Sequence, residues 1–395
     1  ALAVIAEGAP ERIAVARAGS PLAVGFGEDG EEMFVGSDAI ALAPFSDRIV
    51  YLEEGDHGIV SPGRLDLFDR TGRPVTRPAR ASPTQVSLAE KGNYRHFMAK
   101  EIHEQPTVVG HTLAHYADFG RMALRGDGPL GALDLGGVDR LVILACGTAY
   151  YAGLVGRYLI ERIARIPVDV EVGSEFRYRE APIADRSLAL VISQSGETAD
   201  TLASLRHCRE RGLATAGIVN VETSTMAREV DVLLPTLAGP EIGVASTKAF
   251  TCQLATLAAL AIAAGRARGT LPADGEHEAV EALAEIPRLM SEILADEAEI
   301  ERVTRSIAGA SHALYLGRGS AYPIALEGAL KLKEISYIHA EGYAAGELKH
   351  GPIALVDEAM PVVVIAPHDE LFDKTQSNME EVAARGGRIV LVTDR

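Results

Sequence analysis

Two stretches of this chain repeat one pattern of residues. Leu144-Ala-Cys-Gly-Thr-Ala-Tyr150 matches Leu316-Gly-Arg-Gly-Ser-Ala-Tyr322, and Ser174-Glu-Phe176 follows the first stretch at the same spacing as Gly346-Glu-Leu348 follows the second. Self-similarity on this scale indicates two copies of one folded unit. The repeat therefore predicts a pair of tandem domains and limits the folds that the chain can adopt.

The first copy alternates strand-like and helix-like segments. Apolar segments that begin at Leu141, Leu188 and Ala216 are each followed by a turn and then by helical spacing. This alternation is typical of a parallel sheet that is covered by helices on both faces. We therefore predict two doubly wound, flavodoxin-like α/β domains.

The beginning of the chain has a different character. Short β-rich segments such as Ile13-Ala-Val-Ala16 and Ile49-Val-Tyr-Leu52 alternate with turn signals such as Asp29-Gly30, which predicts antiparallel hairpins. A connector helix begins near Tyr94. Pro106 is expected to end it, because proline lacks the N–H that a helix interior needs.

The predicted organisation has five parts. They are a β-rich domain at 1–90, a linker with the connector helix at 91–137, the first α/β copy at 138–273, a helical connector at 274–307 and the second copy at 308–395. The second copy is expected to be truncated, because one strand-like segment follows Pro361-Val-Val-Val-Ile365 before the sequence stops.

Charge and cysteine usage exclude several classes of function. The net charge of -17 disfavours binding to nucleic acid or to anionic membranes. Cys146, Cys208 and Cys252 lack the spacing of a metal site or a disulfide framework, so we expect no metal, no cofactor and a reducing cytoplasm. The longest apolar run, around 254–264, is too short to cross a bilayer.

A hydroxyl-rich loop, Val191-Ile-Ser-Gln-Ser-Gly-Glu-Thr198, lies between a predicted strand and a helix that starts near Ala199. Its hydroxyls, amide and N–H groups converge where the helix dipole is positive, and no P-loop lysine is present, which favours one phosphate monoester on a small sugar. Alternatively, Ser193 and Thr198 are only helix caps. The second copy reads Ile365-Ala-Pro-His368 here, so we expect only the first copy to bind phosphate.

Two further loops are candidate ligand contacts. Cys146-Gly-Thr148 forms a strand-to-helix turn at the carboxyl edge of the same sheet, where α/β proteins place ligands. Gly243-Val-Ala-Ser-Thr-Lys-Ala-Phe250 precedes a long apolar helix and offers Ser246 to sugar hydroxyls. Each is equally compatible with a simple N-terminal cap.

The second copy carries a ladder of charges. Proline stands in the first turn of a predicted helix at Ser320-Ala-Tyr-Pro323, and one face of that helix is expected to present Glu327, Lys331, Glu334 and Ile338. Such a ladder is ordinarily a solvated face.

His350 is predicted in the last turn of a later helix, within Glu347-Leu-Lys-His-Gly-Pro352. A histidine in that place can be a C-terminal cap, or it can serve as an acid/base near neutral pH.

Four strings together resemble the glutamine:fructose-6-phosphate aminotransferase family, the glucosamine-6-phosphate synthases. They are Ser193–Thr201, Glu241–Phe250, Ala325–Glu341 and Glu347–Pro352. The resemblance implies two sugar isomerase (SIS) domains after an N-terminal nucleophile glutaminase domain, of which residues 1–90 are the last part. It also implies fructose 6-phosphate and glucosamine 6-phosphate as ligands, with ammonia supplied from glutamine in the intact enzyme.

The resemblance also implies roles for individual residues. The phosphate-binding residues would be Thr148, Ser193, Gln194, Ser195 and Thr198, those lining the sugar Val244 and Ser246, and those of the reaction centre Lys331, Glu334 and His350. Glu334 would move a proton between C1 and C2, and His350 would assist ring opening from the partner subunit of a homodimer.

The sequence begins downstream of the family's catalytic N-terminal cysteine, and it stops before the tail whose lysine forms a Schiff base. We therefore expect this chain to bind sugar phosphate and to isomerise it poorly. Two alternatives stay open: an SIS-type sugar-phosphate isomerase without amidotransferase activity, and a non-enzymatic sugar-phosphate-binding regulator. Product formation that depends on glutamine or ammonia would distinguish the synthase from both.

Overall fold

A computed structural model describes residues 1–19, 21–27, 29–37, 42, 45–46, 48–81 and 91–394. The chain divides into two compact units, Ala1–Arg95 and His96–Arg395.

The first unit is built of antiparallel strands, as predicted. Its strands are β1 Leu2–Ala6, β2 Ala9–Ala16, β3 Ala23–Phe26, β4 Met33–Gly36, β5 Arg48–Tyr51, β6 His57–Ser61, β7 Arg64–Phe68, β8 Pro74–Val75 and β9 Ala79–Ala81. One sheet has the order β1-β2-β6-β7-β8 and the other β4-β3-β5-β9. Val15, Val24 and Leu52 are buried together in a shared apolar core, because side chains alternate between the two faces of each strand.

The second unit opens with helix α1, Phe97–Tyr116, which continues through Pro106. The expectation that Pro106 ends this helix is therefore wrong. Pro106 has no N–H for the carbonyl of Ile102, but the side-chain amide of Gln105 donates to that carbonyl at 3.1 Å, which offsets the loss. A short hairpin follows, with β10 at Ala117–Asp118 and β11 at Ala123–Leu124.

The first α/β copy follows this hairpin. Its strands are β12 Arg140–Ala145, β13 Val168–Val172, β14 Ser187–Ser193, β15 Ala214–Val219 and β16 Val232–Pro235, and its helices are α2 Gly147–Ile163, α3 Gly173–Phe176, α4 Ala199–Glu210, α5 Thr225–Glu229 and α6 Lys248–Ala267. The strands are parallel in the order β13-β12-β14-β15-β16. This order confirms the predicted flavodoxin-like winding.

Helix α6 is long and apolar enough to cross a membrane by length and composition alone, yet 78% of its most apolar window is buried inside the protein. It packs against α1 and α2. Burial on all sides explains its composition, because a helix enclosed by protein has no polar face to keep.

Two helices, α7 Ala273–Ala295 and α8 Glu297–Ile307, lead to the second copy. That copy contains β17 His312–Gly317, α9 Ala321–Ser336, β18 His339–Ala344, β19 Pro361–Ile365, α10 Phe372–Ala384 and β20 Arg388–Val392. Its parallel strands have the order β18-β17-β19-β20, which corresponds to that of β12 to β15 in the first copy.

Helix α9 ends earlier than the charge ladder predicts. Tyr337 takes a left-handed conformation, with φ of 61°, after Ser336, so Ile338 is not on the helix and its placement on the charged face is wrong. His350 lies at the end of a 3₁₀-helix, Ala345–His350, rather than in the last turn of an α-helix.

Candidate functional site

A cavity of about 180 Å³ lies at the carboxyl ends of β12 and β14. Its lining residues come from three separate parts of the chain: Cys146, Thr148, Ala149, Ile192, Ser193, Gln194, Ser195, Thr198, Ser246 and Gln253. All predicted substrate-binding residues except Val244 are therefore in one pocket. Val244 is 99% exposed and is not among the lining residues.

The loop after β14 folds around the hydroxyl of Ser193. This side chain is buried, accepts a hydrogen bond from the N–H of Gly196 at 3.0 Å, and lies 3.2 Å from Thr198 Oγ1. Gly196 has φ of 66°, a left-handed conformation that glycine adopts without strain. The turn therefore brings the hydroxyls of Ser193 and Thr198 together before α4, while the N–H groups of Gly196 and Glu197 are donated to Ser193 and Ser195 within the loop.

Thr198 occupies the N-cap position of α4, but its side chain makes no capping hydrogen bond. The first N–H groups of an α-helix lack partners within the helix, so this end of α4 keeps free donors near the pocket. The acidic residue of the loop is turned aside, because Glu197 Oε1 accepts the N–H of Thr225 at 2.7 Å. This arrangement suits an anion, and it argues against reading Thr198 as a cap.

The segment that carries Ser246 is held by two carboxylates. Glu241 accepts hydrogen bonds from Ser246 Oγ at 2.8 Å and from the N–H groups of Thr247 and Ala249. Glu101 of α1, which is buried, accepts from the N–H groups of Ile242 and Gly243. Burial raises the pKa of Glu101. The segment is therefore fixed before any ligand arrives.

The charges on α9 reach the same pocket. Helix α9 packs against α2, and Lys331 Nζ donates to Thr148 Oγ1 at 3.0 Å. Lys331 also pairs with Glu334 at 2.6 Å and lies 3.4 Å from Glu327 Oε1. The interpretation of this ladder as a solvated face is wrong for Glu327 and Lys331, because packing of α9 on α2 turns them inward, whereas Glu334 is exposed.

Glu327 is the most buried member of this group, with 6% of its surface exposed. Its Oε1 accepts the hydroxyl of Thr148 at 3.1 Å, while its Oε2 is buried without a partner. Burial raises the pKa of Glu327 to about 7, although Lys331 and Thr148 act in the opposite direction.

His350 is exposed and does not line the pocket. The structure therefore brings Lys331 into contact with the pocket residue Thr148, and Glu334 into contact with Lys331, but it leaves His350 apart from them.

Sequence reasoning missed two residues. Gln253 lies in the middle of the apolar helix α6, is 2% exposed, lines the pocket and has an unpartnered Oε1. A lone amide within an apolar helix was the available signal, because buried polar groups ordinarily have partners. Glu327 belonged to the noted ladder but was given no role.

Comparison with known proteins places both copies in one family. Residues 135–263 and 306–395 match the family model described as SIS domain. Together with the two parallel sheets, this match defines a protein with tandem SIS domains.

The closer relatives are aminotransferases. The chain is 59% identical over 395 residues to the glutamine–fructose-6-phosphate aminotransferase (isomerizing) of Brucella abortus biovar 1, covering all of this chain and 64% of that protein. It is 45% identical to a solved C-terminal domain of glucosamine-fructose-6-phosphate aminotransferase from Francisella tularensis, with a TM-score of 0.75, covering 77% of this chain and 85% of that one. The chain belongs to the glutamine–fructose-6-phosphate aminotransferase family.

A more distant structure shares the fold of the SIS domains. A putative phosphosugar isomerase from Silicibacter pomeroyi is 27% identical, with a TM-score of 0.65, covering 76% of this chain and 86% of that one. The chain spans 64% of the length of the Brucella relative.

Proposed function

We propose that this chain is the sugar-phosphate isomerase part of an enzyme that makes glucosamine 6-phosphate from fructose 6-phosphate and glutamine. The observation that carries this proposal is the contact of Lys331 with Thr148. It joins the pocket of the first SIS domain, which Thr148 lines together with the hydroxyl-rich loop, to the proposed acid/base residues of the second.

The phosphate would bind to Thr148, Ser193, Gln194, Ser195 and Thr198. The pocket has no lysine or arginine among its lining residues, so the attraction comes from hydroxyls and from the free N–H groups at the start of α4. Local donors are needed because the protein as a whole carries a net charge of -17.

The reacting carbons would lie toward α9. Converting a ketose to a 2-amino aldose requires ring opening and then proton movement between C1 and C2. Glu334 would move that proton, since its carboxylate is partly exposed and is paired with Lys331. The ammonium group of Lys331 would stabilise the negative charge that develops on the open-chain sugar.

His350 would assist ring opening from the partner subunit of a homodimer. Support for this role comes from its exposure and from the full exposure of Val244, which leave both side chains available to a second copy. Mixing a Ser193→Ala chain with a His350→Ala chain should restore substrate turnover in part, because a hybrid dimer would keep one intact site. Absence of restoration in verified hybrid dimers would contradict the shared site.

Residues 1–90 would form the last part of a glutaminase domain, and the cytoplasm would be the working compartment. The three free thiols support a reducing environment. Nucleic acid and membrane are not expected as partners.

Calorimetric titration with fructose 6-phosphate and glucosamine 6-phosphate tests the phosphate site. The wild-type chain should bind both sugars, and a Ser193→Ala/Ser195→Ala double variant should lose that binding while keeping its melting temperature within a few degrees. No binding by the folded wild-type protein would overturn the site assignment.

A second candidate is an SIS-type isomerase that uses no ammonia. The fold shared with the putative phosphosugar isomerase of Silicibacter pomeroyi favours it. Measuring product from fructose 6-phosphate with and without ammonia separates the two, because only the synthase forms an amino sugar.

A further inference from the structure

Glu327 contacts both halves of the candidate site, although the proposed reaction gives it no step. It belongs to the second SIS domain, yet its Oε1 accepts the hydroxyl hydrogen of Thr148 from the first domain at 3.1 Å. The same oxygen lies 3.4 Å from Lys331 Nζ. Its other oxygen is buried without a partner, so this carboxyl group is held by few contacts.

The hydroxyl of Thr148 cannot serve two acceptors at once. A threonine hydroxyl has one hydrogen to donate, and in this structure that hydrogen is directed at Glu327. A phosphate oxygen bound at Thr148 would need the same hydrogen. Phosphate binding must therefore release Glu327 from Thr148, whereas Lys331 has three N–H donors and can approach Glu327 without giving up Glu334.

We propose that Glu327 is a positioning residue that couples phosphate binding in the first SIS domain to the placement of Lys331 in the second. The inference rests on the proposed function, since it requires a sugar phosphate in this pocket. When the phosphate takes the hydrogen of Thr148, Oε1 of Glu327 loses a donor and draws Lys331 closer. The ammonium group of Lys331 would then move only after the phosphate of the substrate has bound.

The charged surroundings determine how Glu327 responds. The titratable groups that act on it or respond to it are Lys331 and Glu334 on its own helix and Tyr151 on the packed helix α2. Burial and then the charge of Glu327 raise the pKa of Tyr151. Loss of the Thr148 hydrogen bond alone would raise the pKa of Glu327, whereas a closer Lys331 would lower it, because both partners favour the ionised form. The approach of Lys331 should therefore keep Glu327 ionised on binding.

A double-mutant cycle tests this coupling by calorimetry with fructose 6-phosphate at pH 7. Glu327→Gln should bind the sugar phosphate roughly 3- to 10-fold more tightly than the wild-type chain, because an amide holds the hydroxyl of Thr148 less strongly than a carboxylate does. In a Thr148→Val background the same substitution should have no effect. Glu370→Gln, which removes an exposed carboxylate on the second domain, is the matched control.

The outcomes are distinguishable. An equal gain from Glu327→Gln in both backgrounds would show a simple charge effect and would overturn the coupling, while the phosphate site would stand. Absence of binding by the wild-type chain would overturn the proposed function and the coupling together.

Titration in buffers of different ionisation enthalpy gives a second measurement that needs no substitution at Glu327. The wild-type chain should take up no more protons on binding than Thr148→Val does, because the approaching Lys331 keeps Glu327 ionised. Greater uptake by the wild-type chain would show that Glu327 lost Thr148 without gaining Lys331 and would overturn the proposal.

Discussion

The two SIS copies have the same strand order but different loops after the third strand. In the first copy, β14 leads into a loop whose hydroxyl side chains line a pocket. In the second copy, β19 leads into Ala366, Pro367 and His368. Pro367 has no N–H, and the N–H of His368 is donated to Asp394 at 2.7 Å. The second loop therefore has no comparable set of donors for a phosphate.

The helix that follows the first strand also differs between the copies, and here the second copy carries the charged side chains. Helix α2 of the first copy contributes a hydroxyl, Thr148, whereas α9 of the second copy contributes Glu327, Lys331 and Glu334. These two helices pack against each other. Under the proposed function, the duplicated fold divides phosphate binding and proton transfer between its two halves and joins them where these helices pack.

The variant with the largest expected effect tests whether proton transfer and sugar-phosphate binding belong to different residues. Glu334→Gln should slow exchange of the sugar's C–H protons with solvent by about 10²- to 10⁴-fold, the usual contribution of a general acid/base. Binding of fructose 6-phosphate should change by less than about threefold, because one hydrogen bond beyond the phosphate is altered. Deuterium incorporation measured by NMR, beside calorimetry, gives both values. Parallel loss of binding would show that the roles are not divided.

The next effect concerns the backbone of the first copy's loop. Gly196→Ala should lower the free energy of unfolding by about 2–4 kcal/mol and abolish sugar-phosphate binding. Residue 196 has a left-handed backbone conformation, and a Cβ added to it would collide with the side chain of Ser224. The matched control is Gly212→Ala. Gly212 also has a left-handed backbone, with φ of 75°, but there is open space around its added Cβ, so the substitution should lower the free energy of unfolding by only about 1 kcal/mol. Denaturant unfolding compares the two, and equal losses would mean that the loop is not tightly packed.

A smaller effect should appear in the pH dependence of stability. The pKa of Glu327 in the folded protein, about 7, is above its ordinary value of 4.5. Its protonated form therefore stabilises the fold fully below about pH 4.5, and this contribution is lost as the pH rises through about 7. Glu327→Gln should remove that loss, which amounts to about 1–3 kcal/mol.

Unfolding of wild type and Glu327→Gln between pH 4.5 and 8 measures the difference. Glu370→Gln controls for the change in net charge. A constant difference between Glu327→Gln and the wild type across this range would show that Glu327 titrates normally.

The smallest effect should come from the second copy's loop. His368→Ala should change the affinity for fructose 6-phosphate by less than about twofold, while Ser193→Ala at the corresponding place in the first copy should weaken it by roughly tenfold, the worth of one hydrogen bond to a charged group. Titration of both variants makes the comparison. Similar losses would mean that both copies bind phosphate.

Local patterns were sufficient to predict the loop residues and the sheets. The apolar strand ending at Ser193, the glycine at 196 and the helix from Ala199 all follow from residue types close in sequence. The internal repeat predicted that the two copies share one fold, because similar sequences fold alike.

Features that depend on distant or side-chain contacts could not be predicted. Pro106 does not end α1, because a side-chain amide from Gln105 replaces the missing donor. The inward direction of the charged ladder depends on packing of α9 against α2, and the unpartnered amide oxygen of Gln253 depends on its surroundings in the core. Helical spacing alone contains none of this information.

The two carboxylates that hold the Ser246 segment also make the two sides of the pocket chemically different. Glu101 and Glu241 already accept the N–H groups of that segment, so none of these donors is left for an anion. In the loop after β14, by contrast, Glu197 is turned toward Thr225, and the hydroxyl side chains line the pocket. A ligand with one charged end and one neutral end would therefore find donors for its charged end at the loop after β14 rather than at the Ser246 segment, and such a pocket distinguishes the two ends of a ligand before any bond is broken.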